Sequence, residues 1–575
     1  MKLILRYLKN YKMLFLVNVL SLFGFALVEL GLPTMMAKII DNGIGNNDIS
    51  YIKKIGFIMV VISIIGVCGT ILLGYCSSKL STSITRDIRN DIFIKSQELS
   101  HSEYDKFGIS SMITRTTNDA FQILMFMNTL FRMALLTPVM FIVSLIMILK
   151  TSLSLTGILA ITIPFIILGV VIIAKKSHPL SQKQQKFLDK LNRISRENLT
   201  GIRVIRAFGN DDHEEERFAE TNIAYAGVSK KLNKLMSISQ PLFFFLLNIA
   251  IIAIYWISSK MISVGNLQVG QLVAFIEYLF HAMFSIMLFS MVFVMYPKAH
   301  VSAERIEEVL NSEPLIKSPE NGVKDVKNKG TLEFNNVTFT YPDGEECVLK
   351  NISFTAKKGE TIAFIGSTGS GKSTLINLIP RFYDVTKGNI KIDGVDVRDY
   401  DLKALRKKIG FIPQKTLLFT GTIKGNIKFG KENAKQEELE HSAKISEAYD
   451  FIIKKTNQFD EEISEGGKNV SGGQKQRLSI ARAVIRKPEI YIFDDSFSAL
   501  DFKTDAAIRK KLKEETKDSI VLIVAQRIGS ILDADKIIVL NEGEVVGVGK
   551  HKELLKTCEI YHEIALSQLS EEELA

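Results

Sequence analysis

Gly366-Ser367-Thr368-Gly369-Ser370-Gly371-Lys372-Ser373 decides the reading of this chain, because it follows the apolar run Thr361 to Ile365 and opens a helical pattern from Thr374 to Ile379. Glycines let the backbone curl so that successive N–H groups point at one anion. The helix N-terminus adds its positive end and Lys372 a full charge. The stretch reads as a phosphate-binding loop whose Ser373 hydroxyl is available to Mg²⁺. A flexible strand-to-helix turn is the plainer alternative, and the residues on either side argue against it.

Upstream, the 575 residues are too many for one ordinary core, and 47% of them are hydrophobic, a high share for a soluble protein. Apolar windows lie near 13–33, 55–76, 128–149, 153–174, 241–263 and 271–296, and none follows Tyr296. Each is long enough to cross roughly 30 Å of hydrocarbon as a helix. The sequence therefore predicts an all-α transmembrane domain of six helices over 1–300, a linker over 301–330, an α/β P-loop nucleotide-binding domain over 331–566 and a short acidic tail at 567–575.

Lys2, Arg6, Lys9 and Lys12 precede the first span, and the segments 78–120 and 175–240 are rich in Lys and Arg, whereas the alternate connections near Lys150 and Lys260 are short and nearly uncharged. The positive-inside rule then places both termini and the nucleotide-binding domain in the cytoplasm. The formal charge of +10 reflects this bias, so no nucleic-acid partner is expected; basic residues face anionic lipid and nucleotide. The first span lacks a small-residue cleavage site and reads as a retained anchor. The cysteines, Cys68, Cys76, Cys347 and Cys558, show no pairing or metal-ligand spacing and read as reduced thiols.

Two inner loops, between spans two and three and between four and five, are polar, poor in Pro and Gly, and carry apolar residues at helical spacing. They read as spans continuing into the cytoplasm, with turns near Ser102 to Gly108 and Thr200 to Asp212; an ordinary helical hairpin is the alternative.

Downstream of the phosphate loop come Gly410-Phe-Ile-Pro-Gln414, Val470-Ser471-Gly472-Gly473-Gln474, Ile490-Tyr-Ile-Phe-Asp494, Ser498-Ala-Leu-Asp501 and Ile523-Val-Ala-Gln526-Arg527. An apolar strand ending in Asp494 places a carboxylate where it can meet a Mg²⁺ water, with Ser373 and Gln414 as direct ligands. Tyr341, about 25 residues before the loop, is placed as a plate for adenine. Ser471 to Gly473 open the helical run Gln474 to Val484 and make a second anion site.

This order of motifs resembles the nucleotide-binding domain of ATP-binding cassette (ABC) proteins, and with the six spans the chain is similar to a bacterial exporter half-transporter of the heterodimeric multidrug type. The resemblance implies the type IV (type I exporter) transmembrane fold, ATP and Mg²⁺ as cofactors, and ATPase activity coupled to transport. It assigns ATP contacts to Gly366–Thr374, Tyr341 and Gln414, and the D-loop to Asp501. Ser471, Gly472, Gly473 and Gln474 would act on nucleotide held by the opposing subunit. Glu465 matches the acidic position that in such exporters touches the inner-loop turns.

Two positions depart from the family. Where Glu usually follows Asp494, Asp495 stands, which withdraws the carboxylate by roughly 1 to 1.5 Å, enough to cost on the order of a hundredfold in rate. The switch position, usually His, is Gln526, a neutral amide that cannot carry charge. Both catalytic positions are thus degenerate while the signature is intact. The resemblance then implies a different half-transporter as partner; a slow homodimer is the alternative.

Inside the spans, Glu29, Arg132, Glu277 and His281 are costly charges that read as cavity residues or as a helix-to-helix polar clasp. Met283, Met287 and Met291 at four-residue steps suit a cavity for small hydrophobic or amphipathic substrates, though such a stripe is more often packing. The expected cargo is an amphipathic drug or lipid carried across the cytoplasmic membrane. A peptide, haem or siderophore, and an ATP-gated regulator or channel, are the alternatives.

Overall fold

The computed structural model describes residues 1–326, 330–342 and 344–568. Two compact units emerge, 1–96 with 110–311, and 97–109 with 312–575.

The first unit holds six helices long and apolar enough to cross a membrane: Lys2–Ile44, Ile49–Glu98, Ile109–Thr151, Leu153–Phe208, Asp211–Ser263 and Val269–Phe289. The last continues to Asn311, so the first unit extends past residue 300 before any linker begins. The second, fourth and fifth helices run for 50, 56 and 53 residues. At about 1.5 Å per residue, each is about 75–85 Å long, more than twice the hydrocarbon thickness.

Small residues let the first two spans approach. A Cβ on Gly69 would lie 3.1 Å from the Gly24 Cα, and one on Gly66 only 1.6 Å from the Val28 Cγ2. Where lipid is as apolar as the side chains, such close backbone contact supplies much of the attraction between helices. Polar anchors add register: Asn18 donates to the Phe131 carbonyl at 3.0 Å, and the Asp41 carboxylate accepts from the Gly270 and Gln271 N–H groups at 2.6 and 3.1 Å, capping the sixth helix. Farther along the third and sixth helices, Arg115 pairs with Glu308 at 2.8 Å and Arg305 with Asp119 at 3.2 Å.

Each long connecting segment reverses where the sequence placed a turn. The fourth helix ends at Gly209, whose φ of +62° is left-handed. Ser100 and Glu103 form a capping box on the short helix His101–Phe107, which belongs to the second unit. There the His101 ring stacks on Phe382 at 4.6 Å, and burial, with Asp105 beside it, pushes the Tyr383 hydroxyl pKa up to about 12.

The second unit is built on strands β1 (Thr331–Phe339), β2 (Leu349–Lys357), β3 (Thr361–Gly366), β4 (Lys387–Ile392), β5 (Val395–Asp396), β6 (Ile409–Ile412), β7 (Gly421–Thr422), β8 (Glu462–Ile463), β9 (Ile490–Asp494), β10 (Ile520–Val524), β11 (Lys536–Asn541) and β12 (Glu544–Gly549). One sheet has the order β12-β11-β3-β10-β9-β6, parallel throughout except for β12. A second, antiparallel sheet has the order β2-β1-β4-β5. Every residue of β9 and β10 is buried, as expected of parallel strands covered on both faces, which explains their unbroken apolar runs.

Candidate nucleotide-binding site

Ligand sites in open parallel sheets form outside the carboxyl ends of the strands, and here β3, β10, β9 and β6 are adjacent and parallel, so four motif-bearing loops leave one edge. The Val524 and Asp494 positions are in register, which aligns the exits of β10 and β9. A cleft of about 240 Å³ lies there, lined by Val348, Thr368, Gly369, Gly371, Lys372, Ser373, Thr374, Gln414, Asp494, Asp495, Val524 and Gln526.

The loop's shape depends on its glycines. Gly371 has a φ of +93°, and a Cβ there would lie 2.7 Å from the Leu349 side chain, so only glycine starts the helix Lys372–Leu378 in this way. Lys372 Nζ donates to the Gly366 and Ser367 carbonyls at 2.9 and 2.7 Å and reaches Ser370 Oγ at 3.3 Å, which holds the loop closed around the ammonium. Burial pulls the Lys372 pKa down, and Asp495 and Asp494 oppose that shift.

Opposite the lysine, the Ser373 hydroxyl donates to Asp494 Oδ1 at 2.9 Å. The Asp495 Oδ2 accepts two amides at once, Gln414 Nε2 at 3.1 Å and Gln526 Nε2 at 3.0 Å. Burial raises both aspartates above the ordinary carboxylate range. Asp495 itself sits in the left-handed region at φ +45°, a conformation that Asp and Asn tolerate better than longer side chains do. The hydroxyl of Ser373, the carboxylate of Asp494 and the amide of Gln414 form a hard oxygen set that suits Mg²⁺.

Tyr341 does not line the cleft. Its hydroxyl meets Thr374 Oγ1 at 3.0 Å, and its ring stands edge-on to Phe339 and Tyr383 at 4.9 and 5.2 Å. Residues 471–474 also lie outside that lining: Ser471 accepts from the Gln474 N–H and caps the helix Gly472–Val484, while a Cβ on Gly473 would come 3.4 Å from the Ala499 carbonyl oxygen. Asp501 caps the helix Phe502–Glu515 through the Thr504 N–H at 2.9 Å. Glu465 is exposed.

In the first unit, His281 Nε2 lies 3.5 Å from Glu29 Oε2, while Arg132 and Glu277 are exposed. Met283 is fully buried among its helix neighbours and Met287 packs against the same core. The Met291 side chain lies outside the described residues.

Sequence reasoning passed over Val348 and Val524, apolar residues that line the cleft only because their strand ends abut the loop. It also passed over the αL backbone of Asp495 and the reach of Gln568 to residues 526 and 528; neither carries a local signal.

A membrane unit of six apolar helices followed by a P-loop domain with this cleft defines an ATP-driven membrane transporter. Two family descriptions match, "ABC transporter transmembrane region" over residues 15–287 and "ABC transporter" over 349–498. An ABC transporter ATP-binding protein of Mycobacterium tuberculosis, itself uncharacterized, is 36% identical over 551 residues, covering 94% of each chain. An ATP-dependent lipid A-core flippase of Haemophilus influenzae is 31% identical over 567 residues, 98% of this chain and 96% of the relative. The solved structure of a bacterial Atm1-family ABC exporter with ATP bound superposes with a TM-score of 0.78 at 23% identity, covering 98% of both chains. The chain belongs to the ABC transporter family: a multi-pass membrane protein with the exporter fold and an ATPase domain coupled to transport.

Proposed function

We propose that this chain is one half of a heterodimeric exporter in the cytoplasmic membrane, with both termini and the cassette on the inside. It supplies a slow ATP site of its own and an intact signature to the site of a different half-transporter. One observation carries the reading: the carboxylate placed to polarise water is the short Asp495, held by two neutral amides, and the switch group among them, Gln526, carries no charge. Shortened by a methylene, the carboxylate is withdrawn from the attacking water, and Gln526 can hydrogen-bond a phosphate oxygen without neutralising it.

In this reading the N–H groups of the loop 366–374 and Lys372 bind the ATP phosphates, and ATP draws Lys372 from its loop carbonyls. Tyr341 offers its ring to adenine. Ser373, Gln414 and Asp494 hold Mg²⁺, which neutralises charge on the β and γ phosphates. Ser471 and Gly473 contact the γ-phosphate bound by the partner, and Asp501 lies in the D-loop between the two sites. ATP then joins the two cassettes and its hydrolysis releases them.

The cargo is an amphipathic compound or lipid. Glu29, Arg132, Glu277 and His281 are the polar points of its cavity, with the half-buried Met287 in its adaptable apolar wall; likeness to a lipid A-core flippase favours a lipid-like cargo. Isolation of the tagged chain from its native membrane, followed by intact-mass measurement of the complex, tests the pairing. A one-to-one complex with a second, different half-transporter is expected; a complex of two identical chains refutes it.

A further inference from the structure

The switch segment Gln526–Ile528 is gripped by the far C-terminal end of the chain. Gln568 Nε2 donates to the Gln526 carbonyl at 2.8 Å, and Gln568 Oε1 accepts from the Ile528 N–H at 2.8 Å. A side-chain amide that takes the C=O of one residue and the N–H two residues on supplies the pair of bonds a neighbouring strand would, just where β10 has ended at Val524. Gln568 is itself placed: its N–H donates to the Ala565 carbonyl at 3.0 Å, closing the last turn of the helix Glu559–Leu566. Tyr561 and Ala565 share one face of that helix, and Gln568 follows in the turn just beyond it. Tyr561 and Ala565 are buried in the core that also holds Ile528 and Ile531.

The segment is tied on its other flank as well. The Arg527 guanidinium lies 5.3 Å from the centre of the Phe502 ring, and its Nη2 reaches the Ser498 carbonyl at 3.4 Å. Between these two fixed sides, the Gln526 side chain is aimed at Asp495.

We infer that Gln568 is a positioning residue for ATP turnover: the C-terminal turn clamps the main chain of the switch segment so that the side chain at 526 faces the phosphate cleft. The inference rests on Gln526 being the switch residue, as proposed above. Because the clamp touches only backbone atoms, it acts on whatever side chain occupies position 526. A loose segment lets that side chain wander by a fraction of an ångström, a displacement worth roughly tenfold in rate.

The test uses the full transporter complex, read two ways. Hydrogen exchange over residues 526–530 reports the clamp itself. Own-site turnover is read in an Asp495→Glu, Gln526→His background, where this chain's site is expected to be fast. Gln568→Ala is expected to speed exchange at Ile528 about tenfold and to lower kcat about tenfold with KM for ATP unchanged. Gln568→Glu keeps an acceptor for Ile528 but cannot donate to the Gln526 carbonyl, and should fall between. In an Asp495→Glu, Gln526→Ala background, Gln568→Ala should have no kinetic effect, since no side chain is left to aim. Unchanged exchange, an equal loss in the Gln526→Ala background, or a rise in KM in place of the fall in kcat would overturn the inference. If Asp495→Glu with Gln526→His brings no own-site turnover while exchange still responds to Gln568→Ala, the fault lies in the switch assignment and the clamp has no catalytic role.

Discussion

Replacing Asp495 by Glu and Gln526 by His should raise ATP turnover at this chain's own site. The Asp495 carboxylate is held at 3.1 and 3.0 Å from two amide nitrogens, short of where a glutamate at the same backbone position would end. One methylene advances it by roughly 1 to 1.5 Å, a shift worth on the order of a hundredfold in rate, or about 2.7 kcal/mol of barrier at 1.36 kcal/mol per tenfold. The backbone opposes the change, because residue 495 has a φ of +45°, where Glu fits less well than Asp by about 1 kcal/mol. That cost falls on fold stability and is smaller than the gain in barrier, so turnover should rise while the melting temperature drops slightly. Histidine at 526 adds a donor able to carry charge beside the γ-phosphate. The assay is single-turnover phosphate release from the purified complex, with azido-ATP photolabelling of this chain to confirm occupancy. Retained labelling with phosphate release unchanged would refute the argument that these two side chains set the rate.

Further outcomes follow from the same geometry. Lys372→Ala should abolish photolabelling of this chain yet leave partial ATP hydrolysis by the complex, whereas Gly473→Asp should remove most turnover; equal damage from both contradicts the division of labour. Asp495→Asn should raise the melting temperature of the nucleotide-free protein at pH 7. Burial raises the Asp495 pKa above 3.8, so the folded state holds the proton more tightly than the unfolded one, and the ionised carboxylate costs stability as pH rises through the folded pKa. The benefit of Asn should therefore vanish as pH falls below about 3.8, and a benefit that persists there rules out the desolvation account. Gly69→Leu should cost about 1–3 kcal/mol of stability in detergent melts, since its Cβ meets the Gly24 backbone at 3.1 Å and cannot be relieved by a rotamer change.

Much of this protein was legible without coordinates because its strongest signals are local. Six apolar runs specify six membrane helices, since no other single-chain element satisfies backbone polar groups in hydrocarbon over that length. The turn glycines and Lys372 specify the phosphate loop because their conformational freedom and charge belong to the residues themselves. The identities of Asp495 and Gln526 are likewise readable letter by letter.

Tertiary structure alone decided what those letters do together. Gln414, Asp495 and Gln526 lie far apart in sequence, and only the strand order β10-β9-β6 brings two amides onto one carboxylate. Met283, spaced like a cavity residue, turned out to be fully buried, because which face of a largely apolar helix meets a neighbour is set by packing partners, and the apolar stretch around Met283 carries no periodic signal for it. Gln568 reads as an ordinary polar residue near a chain end. Its bonds to the main chain at 526 and 528 exist because the last helix folds back onto the core that holds Ile528, a long-range contact for which periodicity and propensity, both local quantities, carry no information.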